Sequence, residues 1–285
     1  MRRSCGTSPA GLEEKFEGLR ERGEGALMTH LYYGDPSEEF SRKLIEALVE
    51  SGADILELGI PFSDPIADGP TFQAACERAL KAGVTPDKCI EAVREIMERG
   101  LDIPVVLTTY FNIPYVMGFS RFLRRIREAG AQGLLIPDLP LEEVEPYLKL
   151  TTKEGVRMIL QIAPTTSERR LRRIVDASSG FIYLISLEGV TGSNLRSERK
   201  ALRLIKEIKG IRDIPVMVGF GISGREQAET FVSSGADGVV VGSAYARIYS
   251  RKLQDPFEAL PEVIELTREV KLGCRIGYAR RKDNP

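Results

Sequence analysis

Three carboxylates stand close together in this sequence, each in a setting where a carboxylate is conspicuous. Glu57 lies inside the apolar run ILELGIPF, and Asp64 and Asp68 follow in the loop PFSDPIADGP. In an extended strand successive side chains point to opposite faces. If Leu56 and Leu58 face outward helices, Glu57 faces an interior. A carboxylate there is costly unless it is paired or neutral. Desolvation raises its pKa, which suits a group that both gives and takes a proton. The alternative is a buried glutamate satisfied by neighbouring donors. The Pro- and Gly-rich loop holds Asp64 and Asp68 at low entropic cost. Either could instead make an Asx-turn or cap the helix that begins near Pro70. That plainer role fits Asp64 best, and chemistry alone leaves Asp68 open.

A second group of residues suggests an anion site. Gly219-Phe220-Gly221-Ile222-Ser223-Gly224 and Gly242-Ser243 each follow a β-branched or apolar run. Glycine lets backbone N–H groups come close to a ligand, and a following helix N-terminus adds free donors for phosphate. Tight turning alone is the alternative reading of these glycines. The segment from Ser186 to Asn194, small and polar, reads as a lid or as an ordinary loop. His30 is the single histidine. With no second His or Cys at ligand spacing, a metal site is not expected, and an imidazole lining the core or the site is. There is no GxSxG elbow for a serine nucleophile.

Alternation of elements is what could bring these residues together. Eight apolar runs occupy residues 26–33, 54–60, 103–110, 133–137, 157–162, 181–186, 215–220 and 238–242. Amphipathic stretches of helical length separate them, at 37–51, 86–99, 119–129, 142–154, 168–177, 198–209 and 224–234. In the first of these, Phe40, Leu44, Ile45 and Leu48 share one face. A further helix is expected before the first strand, near 11–21, and another near 256–271. Such βαβα order implies a parallel sheet. The phrases ESGADILELG, EAGAQGLLIPD and SSGADGVVVG repeat one joint: a helix end, a Gly suited to a left-handed C-cap, then a strand. Eight such units without a long linker favour closure into an α/β (β/α)8 TIM barrel, whose sites lie at the C-terminal strand ends. An open doubly wound sheet is the alternative, but no GxGxxG opens a helix after the first strand. We expect one domain over residues 1–285, with a core at about 12–250, an N-terminal helix, a C-terminal helical extension and frayed termini.

Composition narrows the class. Lys and Arg number 40 against 41 Asp and Glu, net −1. This balance excludes a general nucleic-acid or membrane-surface binder. Four cysteines (Cys5, Cys76, Cys89, Cys274) form no CxxC pair, as in a reduced cytoplasmic protein. No 18-residue apolar run exists, and the start MRRSCGTSPAG has no apolar stretch like that of a signal peptide.

The phrase LELGIPFSDPIADGPT, followed in order by Gly-Val-Thr-Gly, Gly-Phe-Gly-Ile and Val-Gly-Ser, resembles the tryptophan synthase α subunit family over about Leu12 to Tyr249. The resemblance implies a lyase that cleaves indole-3-glycerol phosphate to indole and glyceraldehyde 3-phosphate by a retro-aldol reaction. It implies that Glu57 is the main acid–base group and Asp68 the carboxylate at the indole N–H. Tyr183 matches a tyrosine beside the site, and Thr191 a threonine that helps close the lid over Asp68. Gly192, Gly219, Gly221, Gly242 and Ser243 match the phosphate region, and Tyr110, Leu135 and Gln161 the indole pocket. This sequence departs from the best-known bacterial pattern at His30, which replaces an apolar aromatic, at Gln161, which replaces an aliphatic residue, and at Leu187 and Glu188 in the lid. Nothing carries over beyond about residue 250.

The resemblance also implies a heterotetrameric α2β2 complex. A β subunit holding pyridoxal phosphate would consume the indole, with no cofactor in this chain. Contacts are expected from Phe62–Asp64, the adjoining helix and the Tyr110–Tyr115 region. A stand-alone lyase, or a non-catalytic barrel that only activates the β subunit, are the alternatives.

Overall fold

Strand alternation sorts the apolar residues into two layers. In the computed structural model, which describes residues 11–186, 195–219 and 221–282, eight parallel strands close into a barrel in chain order. They are β1 (Ala26–Tyr32), β2 (Ile55–Gly59), β3 (Val105–Thr108), β4 (Gly133–Leu135), β5 (Arg157–Ile162), β6 (Ile182–Ile185), β7 (Val216–Gly219) and β8 (Gly238–Val241). Twelve α-helices accompany them among the described residues: α1 (Leu12–Arg22), α2 (Glu38–Glu50), α3 (Pro70–Lys81), α4 (Pro86–Glu98), α5 (Asn112–Met117), α6 (Phe119–Ala129), α7 (Glu145–Glu154), α8 (Glu168–Ala177), α9 (Leu195–Ile211), α10 (Arg225–Ser233), α11 (Ser243–Tyr249) and α12 (Leu260–Lys282). The barrel, its N-terminal helix and its C-terminal helical extension are as expected.

Leu27, Leu31, Leu56, Leu58, Leu107 and Leu134 belong to an outer core shared with the helices. Met28, Ile55, Val106, Leu135, Ile159 and Val240, from the other set of strand positions, fill the barrel interior. Helix α1 floors that interior: Leu12, Phe16 and Leu19 join the inner cluster, and the Phe16 and Phe181 rings lie 5.9 Å apart. With its N-terminal end closed by apolar packing, the barrel opens at its C-terminal end.

The repeated joints do more than turn the chain. Gly52, Gly130 and Gly235 have φ of 107, 104 and 112°, so the glycine reading holds. The following aspartates tie neighbouring strands: Asp54 accepts from the Leu27 N–H and Asp237 from the Val216 N–H, both at 2.8 Å. Lys271 of α12 bonds Asp54 at 2.8 Å and Glu24 at 3.0 Å, and so pins the C-terminal helix to the barrel floor.

Some elements differ from expectation. Two helices, α3 and α4, follow β2: α3 starts at Pro70, where the sequence places a helix start, and α4 matches the stretch at 86–99. Helices α5 and α11 are too short for apolar periodicity to mark them. Helix α12 starts at Leu260 and runs past residue 271, through Arg280 and Arg281, where the sequence suggests a frayed tail. There Arg280 pairs with Glu229 and Arg281 donates to the Val232 carbonyl. Gly273 and Gly277 let α12 approach α10: a Cβ at Gly277 would lie 2.7 Å from the Glu229 carbonyl oxygen.

Candidate active site

The open end of the barrel encloses a cavity of about 860 Å³. Every strand turns alternate residues inward, so the site draws His30 and Tyr32 from β1, Glu57 from β2, Thr108 from β3, Leu135 from β4, Gln161 from β5, Tyr183 and Ile185 from β6, and Val240 from β8. The loop before α3 adds Asp68, and α3 adds Phe72. Thus Glu57, Asp68, Leu135, Gln161, Tyr183, Gly221, Gly242 and Ser243 meet around one space. Thr191 and Gly192, with Leu187 and Glu188, lie outside the described residues.

Glu57 is 2% exposed. Its Oε1 accepts a hydrogen bond from Thr108 Oγ1 at 2.6 Å, and its Oε2 has no protein partner among the described residues. Burial raises its pKa from 4.5 to about 7, only partly opposed by the Thr108 bond. His30 lies beside it, Nδ1 to Oε1 at 3.5 Å. Burial lowers the pKa of His30 to about 4, against the pull of Asp68, so at neutral pH this contact is not an ion pair. The imidazole packs between aromatic rings, 4.7 Å from Phe72 and 5.3 Å from Tyr32.

Asp68 is held differently. Two phenols donate to its Oδ2, Tyr32 at 2.5 Å and Tyr110 at 2.7 Å. The Tyr110 oxygen in turn accepts from the Ala67 N–H at 3.1 Å, which fixes the loop around the carboxylate. Burial raises the Asp68 pKa, and the Tyr32 and Tyr110 bonds work against that rise. Two carboxylates in one cavity therefore have different environments, one with a single threonine donor and one held by two phenols, the arrangement that separates acid from base roles. Asp64 stands apart: it is exposed and accepts from its neighbour Ser63 at 2.6 Å, in keeping with a loop role.

Tyr110 is fully buried and reaches the site through its hydroxyl. Gly219 does not line the cavity; it makes room for Tyr183, whose phenol would collide with a Cβ at that position. Gly221 (φ 80°), Ser223, Gly242 and Ser243 do line it, near the starts of α10 and α11. Arg247 of α11 joins them and donates to Ser243 Oγ at 3.1 Å. A neutral phosphate cradle is the sequence reading; the fold adds a cation. Tyr32, Thr108, Phe72 and Arg247 were not anticipated. Period-two alternation from His30 could have marked Tyr32, and the end of strand three Thr108. Phe72 and Arg247 reach the cavity only through helix placement.

A sequence profile of the family described as "Tryptophan synthase alpha chain" matches residues 16–275. The match thus extends beyond residue 250, where motif likeness faded. The tryptophan synthase alpha chain of Methanopyrus kandleri is 42% identical over 273 residues, covering 96% of this chain and 98% of the relative. That of Synechococcus sp. (strain CC9902) is 45% identical over 233 residues, covering 82% and 86%. Among solved structures, a Mycobacterium tuberculosis tryptophan synthase chain superposes with a TM-score of 0.84 at 37% identity, covering 94% of this chain and 99% of that one. The tryptophan synthase subunit alpha of Legionella pneumophila gives 0.81 at 32% identity, covering 93% and 97%.

Proposed function

The chain belongs to the tryptophan synthase alpha chain family, carbon–carbon lyases of tryptophan biosynthesis, and we propose that Glu57 and Asp68 share the proton transfers of indole-3-glycerol phosphate cleavage. The observation that carries this reading is the pair itself. Glu57 has a pKa near 7 and an Oε2 without a partner among the described residues, and it faces the same cavity as an Asp68 held by two phenols.

Breaking the bond to indole C3 directly would leave an unstable carbanion. Protonated Glu57 delivers its proton to C3, and Asp68 as the carboxylate stabilises the charge at N1 and accepts the N–H proton. Glu57, now basic, takes the proton of the side-chain hydroxyl. The C–C bond then breaks toward the ring, glyceraldehyde 3-phosphate leaves as the aldehyde, and N1 recovers its proton from Asp68 as indole forms. A Glu57 pKa near the working pH serves both the donating and the accepting step. Tyr183, Leu135 and Gln161 would contact the indole. Gly221, Gly242 and Ser243 would hold the phosphate, with Gly192 from the lid, and that grip orients the reacting bond, while Thr191 would help close the lid over Asp68.

Family membership implies a β-subunit partner. We place its docking face on the loop before α3 and on α5, where Ile66, Tyr115 and Val116 are 78, 67 and 74% exposed. Exposed large apolar side chains on these elements are what an interface would cover. An α2β2 complex in the cytoplasm, with pyridoxal phosphate in the β subunit, completes the reading. No helix among the described residues is long and apolar enough to cross a membrane. Glu57→Gln should fold and bind phosphate yet lose lyase turnover by about 10²–10⁴-fold, assayed with and without the β subunit. Turnover near the native rate would sink the acid–base assignment. A native rate independent of the β subunit would favour a stand-alone lyase.

A further inference from the structure

Glu57 has two chemically distinct oxygens, and the protein treats them differently. Thr108 Oγ1 donates to Oε1 at 2.6 Å, and His30 Nδ1 stands 3.5 Å from the same Oε1, beside it without a formed hydrogen bond. Oε2 has no partner among the described residues, and neither has His30 Nε2. His30 is 7% exposed and lines the cavity, wedged between Phe72 and Tyr32. Buried polar groups are ordinarily paired, so two unpaired atoms beside one contact ask for an account.

We propose that His30 is a positioning residue for Glu57: a neutral imidazole with its proton on Nδ1, donating to Oε1 and thereby keeping the carboxyl proton on Oε2. This rests on the acid–base role proposed for Glu57. An oxygen that accepts from both Thr108 and His30 is the poorer site for a proton. The proton then resides on the oxygen that has no partner among the described residues and can serve the substrate. The opposite tautomer would put a proton on the buried, unpaired Nε2 and make Nδ1 an acceptor, which would draw the Glu57 proton to Oε1. An unpaired acceptor at Nε2 is the milder defect, since orphaned buried N–H groups are the rarer kind. Catalytic hydrogen bonds are often long in an unliganded site and shorten in the substrate complex, which accommodates the 3.5 Å separation.

His30 cannot serve as a second acid here. Burial keeps it neutral down to about pH 4. Among the described residues, the titratable groups around Glu57 are His30 and Tyr32 from β1, Asp68 from the loop before α3 and Tyr183 from β6, and Arg247 of α11 lines the same cavity. Thr108 on β3 is the donor that does not titrate.

The chain has a single histidine, so one imidazole can be read without assignment. The experiment uses the full chain freed of any affinity-tag histidines, with 15N-labelled histidine, followed by NMR from pH 5.5 to 8. The expected result is a protonated Nδ1 and a bare Nε2 across that range. A proton on Nε2, or an imidazole that charges near pH 6.5, overturns the proposal. In lyase assays His30→Phe keeps the ring packing and removes the donor, while His30→Asn keeps a donor near the Nδ1 position. Losing the donor raises the Glu57 pKa, so the alkaline limb of the kcat–pH profile should move up by about 0.5–1 unit in His30→Phe and return toward native in His30→Asn. Identical profiles for native protein, His30→Phe and His30→Asn also overturn it. If the native chain lacks lyase activity, the proposed function fails, while the NMR tautomer still decides this inference.

Discussion

Each carboxylate in the cavity is tuned by what surrounds it. Glu57 is desolvated and receives little help; Asp68 is desolvated but receives two phenol hydrogen bonds. Tyr110→Phe removes one donor from the Asp68 carboxylate while keeping the ring that stacks on Phe62 at 5.5 Å. A lost donor disfavours the ionised form, so the Asp68 pKa, already raised by burial, rises further. If ionised Asp68 is the working form, activity is lost as pH falls through that pKa. The acid limb of the kcat–pH profile should then move to higher pH by about one unit. An unmoved acid limb would show that the phenol does not tune the working carboxylate. Gly219 makes a related point without titrating: its missing Cβ is what seats Tyr183 in the wall.

Helix α1 is an element whose value lies in one face. Leu12, Phe16 and Leu19 recur at helical spacing and are almost fully buried, while Glu13, Glu14 and Glu17 lie on its other faces. Its C-terminus is closed by Gly23 at φ 72°, whose N–H bonds back to Arg20 and Leu19. The apolar face fills the barrel floor opposite the chemistry. Phe16→Ala should therefore cost roughly 3–5 kcal/mol in urea unfolding, from lost transfer energy and the cavity left beside Phe181. The active-site pKa values should remain in place, because the inner apolar layer separates floor from cavity. A loss below about 1 kcal/mol would mean that α1 is a loose cover. Helix α12 repeats the lesson at the other end of the chain: Gly273 and Gly277 permit its close approach to α10, and Lys271 anchors it.

For the molecule as a whole, the site carries a pH-dependent cost. The pKa of Glu57 is near 7 when folded against an ordinary 4.5, so the folded state binds the additional proton in this window. Stability from this group is full below about pH 4.5 and is lost as pH rises through 7. His30 has the opposite sign. Its folded pKa near 4 lies below the ordinary 6.5, so stability is lost as pH falls through that window. The two slopes oppose each other between about pH 4.5 and 6.5 and flatten the native profile. Glu57→Gln removes one of them. Relative to native protein, its stability should rise from pH 4 to above pH 7 by about 3 kcal/mol in denaturant titrations. A constant difference across the range would remove the desolvated carboxylate from the account.

The period-two and helical patterns of the sequence determined the barrel, because each apolar strand and amphipathic helix reports locally which face it must bury. The same alternation placed Glu57 inside, flanked by Leu56 and Leu58 outside. The motif phrase from Leu56 to Thr71 singled out Asp68 over Asp64, a choice that local chemistry leaves open. Tertiary structure alone decided who surrounds these carboxylates. Tyr110 lies 42 residues from Asp68, and Thr108 lies 51 from Glu57. Such contacts depend on strand register and closure, which no local pattern encodes. Phe72 and Arg247 enter the cavity from helices whose angle is set by packing. So the interior placement of Glu57 was legible in its own neighbourhood. Which of its oxygens is free, and the donors that set the charge of its partner, emerged only when eight strands closed.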